Sequence, residues 1–283
     1  MESAQAVSNT VDVKNLSLPW KVTTAGGADI ASGACDIKVY VPLGTPLDSL
    51  FYDSVIIQNA VYYIPYSGLL ESLLNISCNA AKGASTQSET FALLWKKIQT
   101  CHLGLLDGRI LQYYGDGDDT VHGSYDTGEL LKEGDGRCGH WMHLFVDLLR
   151  SQGISASYSD CESFRIGPNP ARGFIYNPVL KRVYKTIGQT NHYLKLIQTA
   201  DRYQGGGHPD LACFQDHVIN KYNGNYYDAT CGAGPYEVSE AGFLNYLRNN
   251  VRIRVGTTQT FYEGNDLVIE DFDSIYFIYD IMH

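Results

Sequence analysis

The sequence lacks several features that would assign a protein to a class at once. None of its apolar runs approaches the ~20 residues of a membrane-spanning helix. Its opening residues, MESAQAVSNTVDVKNLS, lack the basic and apolar regions of a signal peptide. Positive charge is scarce, with 21 Lys and Arg against 31 Asp and Glu, which argues against nucleic acid or an anionic membrane as the main partner. The composition suits a cytoplasmic, periplasmic or secreted protein equally.

The seven cysteines include no Cys-x-x-Cys pair, so zinc-ribbon and thioredoxin-like sites have no support. Cys138, His140 and His143 form a Cys-x-His-x-x-His pattern that resembles a metal site. On a helix the two histidines lie ~140–200° away from the cysteine, so the three side chains cannot hold one ion. We therefore expect no metal and no other cofactor, with both histidines on the solvent side of the helix.

The order of the predicted elements indicates an α+β fold. Residues 1–82 contain runs such as DIKVYV (36–41) and predict a β-rich N-terminal segment or small domain. Residues 83–283 form the predicted main domain, in which a central helix precedes an antiparallel sheet. Its predicted elements are helices over 88–99, from Cys138 to Gly153 and over 240–250, strands over 154–159 and 274–281, a hairpin over 213–232, and flexible loops over 168–173 and 205–209.

Cys138 lies among glycines at the predicted start of the central helix, in the stretch GDGRCGHWMHLFVDLLRSQGI (134–154). The apolar residues of this helix fall on the same side as the cysteine, which is also what an inert, buried cysteine would show. A helix start, however, offers unpaired N–H groups and a positive dipole end, which stabilise a thiolate. The same N–H groups could hold the oxyanion of an acyl-transfer intermediate.

A nucleophilic cysteine needs a base, and the stretch DHVINKYNGNYYDAT (216–230) contains a histidine and a carboxylate at suitable spacing. Asn223-Gly224 predicts a two-residue type I′ turn. In that register His217 and Asp228 are diagonal neighbours on one face of the sheet. The carboxylate could then hold the imidazole while the other ring nitrogen faces a thiol. An ordinary hairpin with a polar solvent face would give the same pattern.

These two stretches resemble the transglutaminase-like superfamily of cysteine enzymes. The resemblance rests on a glycine-flanked cysteine that opens a helix ending in L-R-x-x-G-I-x-A, then a strand histidine, then Y-x-D-x-T. It covers roughly residues 88–232 and implies a papain-like core with a central helix packed on an antiparallel sheet. It also implies a Cys138–His217–Asp228 triad.

The sequence departs from the animal transglutaminases on both sides of the cysteine. Those enzymes carry an aromatic residue after it and a glutamine before it, whereas this chain has Gly139 and Arg137. The second oxyanion donor is therefore unassigned, and Gln112, Trp95 and Gly139 are the candidate oxyanion or substrate residues. This departure also weakens the expectation of protein cross-linking.

Three functions are compatible with these residues. The first is thiol-dependent hydrolysis of an amide bond in a peptide or protein substrate through a thioester. The second uses the same triad as a transamidase, acyltransferase or glutamine deamidase, and the choice between water and an amine depends on how the closed site excludes water. The third is a non-catalytic binding module on the same fold, which the intact triad disfavours. The oligomeric state is open.

Overall fold

The computed structural model of the chain describes residues 9–27, 29–47, 52–57, 60–65, 67–113, 126–166, 175–177, 182–183, 193–198, 203–206, 213–214, 216–256 and 272–277. It is a mixed α+β structure, as the sequence predicts. The predicted loop over 168–173 and residues 207–209 and 278–281 lie outside this range. None of the described helices has both the length and the apolar character that a membrane crossing requires.

The chain forms two compact units, residues 1–94 with 148–155 and residues 95–147 with 156–283. The domain boundary after residue 82 stays a prediction, because a compact unit is not by itself an independently folding domain.

The described residues of the first unit include two antiparallel hairpins and one complete helix. The strands are β1 (Asp12–Thr23) paired with β2 (Asp29–Val41), and β3 (Tyr52–Ile57) paired with β4 (Ala60–Pro65). Besides these strands, the predicted β-rich segment up to residue 82 contains a helix that the sequence did not predict, α1 (Ser67–Ala80). Leu73 and Ile76 lie three residues apart on this helix, and both are buried, as an apolar helix face requires.

The second unit holds the larger sheets. Its strands are β5 (Gln112–Tyr113), β6 (Asp135–Gly136), β7 (Cys161–Ile166), β8 (Ile175–Asn177), β9 (Arg182–Val183), β10 (Tyr193–Gln198), β11 (Cys213–Phe214), β12 (Asp216–Tyr222), β13 (Asn225–Asp228), β14 (Ala233–Glu237), β15 (Val251–Gly256) and β16 (Phe272–Phe277). Six of them form an antiparallel sheet in the order β14-β13-β12-β7-β8-β9, and four form another in the order β11-β10-β15-β16. The two-residue strands β5 and β6 pair in parallel.

The remaining helices are α2 (Gln87–Gln99), α3 (Thr127–Glu133), α4 (Cys138–Arg150) and α5 (Glu240–Asn250). The predictions of helices over 88–99 and 240–250 are therefore confirmed, and so is a closing strand near residue 274. The predicted strand over 154–159 is wrong, because these residues form a turn and the strand begins at Cys161.

The glycines at 205 and 206 do not form the flexible loop that the sequence predicts. They lie in a short 3₁₀ helix, Gln204–Gly206, whose first side chain is buried. The Gln204 amide donates to the carbonyl oxygens of Ile98 (2.9 Å) and Ala229 (2.8 Å). These bonds fix the segment between α2 and the end of β13.

Candidate active site

Helix α4 begins at Cys138, as the glycine-rich sequence predicts. The preceding residues run as strand β6, and Gly153 ends the helical segment with the positive φ of 72° that favours glycine. Cys138 is partly exposed and is not engaged in a disulfide, whereas the apolar residues behind it, such as Phe145 and Leu149, are buried. The thiol therefore lies at the positive end of a helix whose body forms part of the core.

The polar side of α4 is not a solvent face, which corrects the expectation for His140 and His143. His140 is 0% exposed and Asp147 is 4% exposed. His143 is half-buried and stacks on Tyr158, which also donates a hydrogen bond to Asp147. Neighbouring segments cover this arc, and helical periodicity within α4 does not reveal them. Among the described residues, no group of three His, Cys, Asp or Glu side chains is arranged to hold a metal ion.

The hairpin of β12 and β13 has the predicted two-residue turn. Asn223 and Gly224 both have positive φ, 45° and 74°, as a type I′ turn requires, and Tyr222 faces Asn225. This register brings the His217 ring to Asp228, with 2.9 Å between Nε2 and Oδ2. Both side chains are almost fully buried, so this pair is not part of a polar solvent face.

Asp228 accepts hydrogen bonds on both carboxylate oxygens. Oδ2 accepts from His217 and from the phenol of Tyr246 (2.7 Å), while Oδ1 accepts from the hydroxyl (2.6 Å) and backbone N–H (3.1 Å) of Thr230. Burial alone raises the pKa of Asp228, but the charge of His217 and these hydrogen bonds outweigh it and lower the pKa. The carboxylate is therefore ionised although it is buried.

His217 is the positive partner of this carboxylate. Burial is the largest single influence on the pKa of His217 and lowers it. The charge and hydrogen bond of Asp228 act in the opposite direction, and so does the neighbouring Cys138. Together they raise the pKa of His217 to about 10. Since Nε2 faces Asp228, Nδ1 is the ring nitrogen that remains for the Cys138 thiol.

The body of α4 packs on the other face of the hairpin. The Asn220 amide donates to the carbonyl oxygen of Met142 (3.0 Å), and the ring of Phe145 stacks on Tyr227 at 5.8 Å. Asn220 and Tyr227 are paired across the strands and alternate with His217 and Asp228. The body of the helix therefore covers the face of the hairpin that lies opposite His217 and Asp228.

Gln112 lies next to the segment that leads into Cys138. Its strand β5 pairs with β6, where Gln112 faces Asp135 and donates its backbone N–H to Gly134 (2.8 Å). A Cβ at Gly205 would lie 2.6 Å from Cγ of Gln112, so the glycine lets the side-chain stem pack closely against the short 3₁₀ helix. Gly139, the other small candidate, is the second residue of α4 and is partly exposed.

Trp95, the third candidate, lies in the apolar core. Its indole makes edge contacts with Phe145 (5.7 Å) and Tyr227 (4.9 Å), and the side chain is 5% exposed. Phe145 lies seven residues, or about two turns, after Cys138. Among the contacts that the structure describes for Trp95, none joins it to Cys138. Among the described residues the buried indole N–H of Trp95 has no hydrogen-bond partner, so its role as an oxyanion donor stays a prediction.

The sequence analysis did not assign roles to Tyr246 and Thr230, which both bind Asp228. Tyr246 lies on α5, eighteen residues after Asp228, and no local spacing links the two. Burial and the negative charge of Asp228 raise the pKa of Tyr246 well above its usual value, so its phenol remains a donor. Thr230 was visible as the last residue of the Y-x-D-x-T motif, and its two hydrogen bonds explain that position.

Comparison with protein families supports the resemblance. Residues 109–161 match a family model of the transglutaminase-like superfamily. The matched stretch includes Gln112 and Cys138 and ends before the hairpin that carries His217 and Asp228. No match was found among curated proteins or among solved structures. The chain therefore carries a transglutaminase-like superfamily domain at residues 109–161. This family consists mostly of cysteine enzymes, and membership indicates a cysteine-dependent enzyme that acts on amides.

Proposed function

We propose that the protein hydrolyses an amide bond in a peptide-like substrate, with Cys138 as the nucleophile and with His217 and Asp228 as its partners. The observation that carries this proposal is the buried His217–Asp228 ion pair, whose imidazole also interacts with the thiol at the start of α4. A buried ion pair is costly unless it is well bonded. A cysteine enzyme uses such a pair directly, whereas a binding module has no evident need for it. The fold that accompanies this chemistry is a papain-like core.

The reaction follows from these positions. The Cys138 thiolate attacks the amide carbon, and the C–N bond breaks as the His217 imidazolium gives its proton to the leaving amine. This step leaves a thioester on Cys138 and a neutral His217. A water molecule then loses a proton to His217 and attacks the thioester, which releases the acid and restores the thiolate. Asp228 keeps Nε2 hydrogen-bonded throughout, so that Nδ1 is the nitrogen that exchanges protons.

The negative oxygen of each tetrahedral intermediate needs hydrogen-bond donors. The N–H groups at the start of α4, those of Cys138 and Gly139, lie closest to the nucleophile along the chain. We assign the side-chain amide of Gln112 as the second donor, because β5 is paired with the segment that ends at Gly136, two residues before Cys138. Replacement of Gln112 by Ala should lower kcat by roughly 10²–10³-fold, as loss of one oxyanion donor does elsewhere.

Thiol labelling tests the nucleophile. The protein is treated with limiting iodoacetamide or a peptidyl vinyl sulfone at mildly acidic pH, and the modified cysteine is located by mass spectrometry. Cys138 should react first, although Cys35 is more exposed. Cys35→Ala is the matched control and should leave the labelling unchanged, whereas Cys138→Ala should abolish it. Earlier labelling of Cys35 in the wild type would refute the assignment.

A panel of peptide amides, with and without a primary amine as acceptor, then tests the reaction itself. Release of the free acid supports hydrolysis, whereas transfer to the amine indicates acyl transfer through the same thioester. The turnover should persist in EDTA, since the proposed steps use no metal. Loss of activity in EDTA and its recovery with zinc would overturn this mechanism.

A further inference from the structure

A second histidine–carboxylate pair lies beside Cys138 and takes no part in the proposed reaction. It joins His140, the third residue of α4, to Glu129 of α3, with 3.3 Å between Nε2 and Oε2. His140 is 0% exposed, and the side chain of Glu129 is 16% exposed. A buried imidazole held by a carboxylate usually has a specific task.

The other nitrogen of His140 binds the backbone at the start of α4. Nδ1 accepts a hydrogen bond of 3.0 Å from the N–H of Arg137, the residue directly before Cys138. In a capping box, the third helical residue reaches back in this way to the N–H of the capping residue, and it is normally Glu or Gln. Nδ1 of His140 therefore accepts the hydrogen bond that a Glu or Gln side chain accepts in a capping box. This bond fixes the backbone immediately before Cys138.

These two contacts define the protonation of His140. A nitrogen that accepts from a backbone N–H carries no proton, so Nδ1 is unprotonated. Nε2 then carries the proton and donates it to the Glu129 carboxylate. Glu129 thus selects the one neutral tautomer that can bind the Arg137 N–H, as outer carboxylates do for histidines that bind metals.

The residues that contact His140 are themselves held in place by further contacts. A Cβ at Gly136 would lie 2.9 Å from Cβ and Cγ of His140, so the imidazole packs directly on a glycine backbone. Asp126 caps α3 by accepting from the N–H of Glu129 (2.9 Å). At the other end of α3 the Arg109 guanidinium donates to the last carbonyl oxygens, at 2.9 Å for Lys132 and 3.1 Å for Glu133. Glu129 is therefore presented from a helix that is capped at both ends.

We infer that His140 and Glu129 are positioning residues that hold the Arg137–Cys138 backbone, and with it the nucleophile and the N–H groups of the helix start, in the reactive geometry. The inference rests on the proposed function, because it assumes that Cys138 is the nucleophile. Its physical basis is that a misplacement of about 1 Å can lower a rate by about 10²-fold. Neither residue touches the substrate in this scheme.

The test compares His140→Leu with His140→Gln. Leucine fills the site but cannot accept a hydrogen bond from the Arg137 N–H. The rate constant for alkylation of Cys138 by iodoacetamide should therefore fall by roughly tenfold or more. Glutamine offers an oxygen to the Arg137 N–H and an NH₂ group to Glu129, so it should restore the rate to within about threefold of wild type. His143→Leu is the matched control, because His143 lies one turn further on and stacks on Tyr158. It should alkylate like the wild type.

A second readout does not depend on activity or on stability. In ¹⁵N-histidine NMR spectra His140 should show an unprotonated Nδ1 and a protonated Nε2, and Glu129→Leu should populate the other tautomer. If a folded His140→Leu protein alkylates at the wild-type rate, or if Nδ1 of His140 carries the proton in the wild type, the inference is wrong. If alkylation falls as expected but no amide is ever turned over, the positioning role stands and the proposed function fails.

Discussion

The hairpins β1–β2 and β12–β13 use alternating sequences in opposite ways. The β1–β2 hairpin exposes large apolar side chains such as Leu18 (46% exposed) and Trp20 (47%). The β12–β13 hairpin buries polar ones, with His217 and Asp228 at 1% and 0%. Both have the period of two that predicts strands. Alternation therefore identifies the strands of each hairpin but does not tell which side chains become buried.

This difference in burial shows which of the two hairpins carries evidence of a function. Apolar atoms make up a large part of every protein surface, so exposed Leu or Trp residues identify little by themselves. A buried His–Asp pair is more informative, because each charge must be compensated by hydrogen bonds and by its partner. In the second hairpin Asp228 receives this compensation from His217, Thr230 and Tyr246.

The largest effect should follow removal of the buried carboxylate. Asp228→Ala leaves His217, Thr230 and Tyr246 without their shared acceptor, so the free energy of unfolding should fall by about 3–5 kcal/mol. Asp228→Asn keeps the shape and should stay folded, but turnover should fall by roughly 10²–10⁴-fold because the imidazole is no longer held in its working state. Urea unfolding and steady-state kinetics measure the two effects.

The matched control lies in the other hairpin. Asp36 is exposed on β2, and Asp36→Ala should change the free energy of unfolding by about 0.5 kcal/mol or less. If Asp228→Asn retains full turnover, Asp228 does not orient His217 during the reaction. The buried pair would then be a structural feature.

The pH dependence of stability should also distinguish the buried pair. The pKa of His217 is about 10 in the folded protein, above its usual 6.5, so its contribution to stability is complete below pH 6.5. It is lost as the pH rises from 6.5 toward 10, because the unfolded chain then releases a proton that the folded protein still binds. The pKa of Asp228 is lowered from its usual 3.8 in the folded protein. Its contribution to stability is therefore present above pH 3.8 and is lost as the pH falls through the lower pKa of the folded state.

Denaturant unfolding of the wild type and of His217→Gln, repeated from pH 6 to pH 10, tests the histidine. The difference in the free energy of unfolding between the two proteins should shrink steadily as the pH rises. The alkaline limb of the kcat/KM profile should lie at lower pH in Asp228→Asn than in the wild type, because the main influence that raises the pKa of His217 is removed. A difference in stability that is independent of pH would contradict the ion pair.

A smaller effect should follow loss of a single hydrogen bond to Asp228. Tyr246→Phe removes the 2.7 Å bond from a fully buried phenol and should cost about 1.5–3 kcal/mol of unfolding free energy, the range for hydrogen bonds to charged groups. Tyr236→Phe is the control, since that phenol accepts from Asn250 and its ring packs on Tyr246. Turnover should fall in Tyr246→Phe but not in Tyr236→Phe. Equal losses in both variants would show that the bond to Asp228 contributes no more than the neutral bond between Asn250 and Tyr236.

The sequence predicted the parts of the site that depend on local rules. Glycines before Cys138 and an apolar stripe after it predicted the start of α4, and Asn223-Gly224 predicted the register that joins His217 to Asp228. These features are local because a cap, a helix period and a type I′ turn each involve only neighbouring residues. The fold class follows from the same elements.

The rest depends on contacts between distant segments. Tyr246 reaches Asp228 from another helix, and α3 covers His140, so neither contact has a signature in the spacing of residues. The apolar spacing of α1 is compatible with a helix, but the strand-like runs before it dominate the pattern of residues 1–82. The polar arc of α4 predicts a solvent face only for a helix without neighbours. Covering segments decide burial, and they become visible only in the folded chain.

The smallest change in the free energy of unfolding should come from a substitution in the exposed β1–β2 hairpin. It compares an exposed apolar side chain directly with a buried one in the β12–β13 hairpin. Leu18→Ala on β1 removes a half-exposed side chain and should change the free energy of unfolding by about 0.5 kcal/mol or less. Ile219→Ala on β12 removes a side chain that is 0% exposed and should cost about 2–5 kcal/mol. Both are measured by urea unfolding at two protein concentrations. If Leu18→Ala proves as costly as Ile219→Ala, and if the cost grows with concentration, the apolar face of the first hairpin is covered by another molecule in solution.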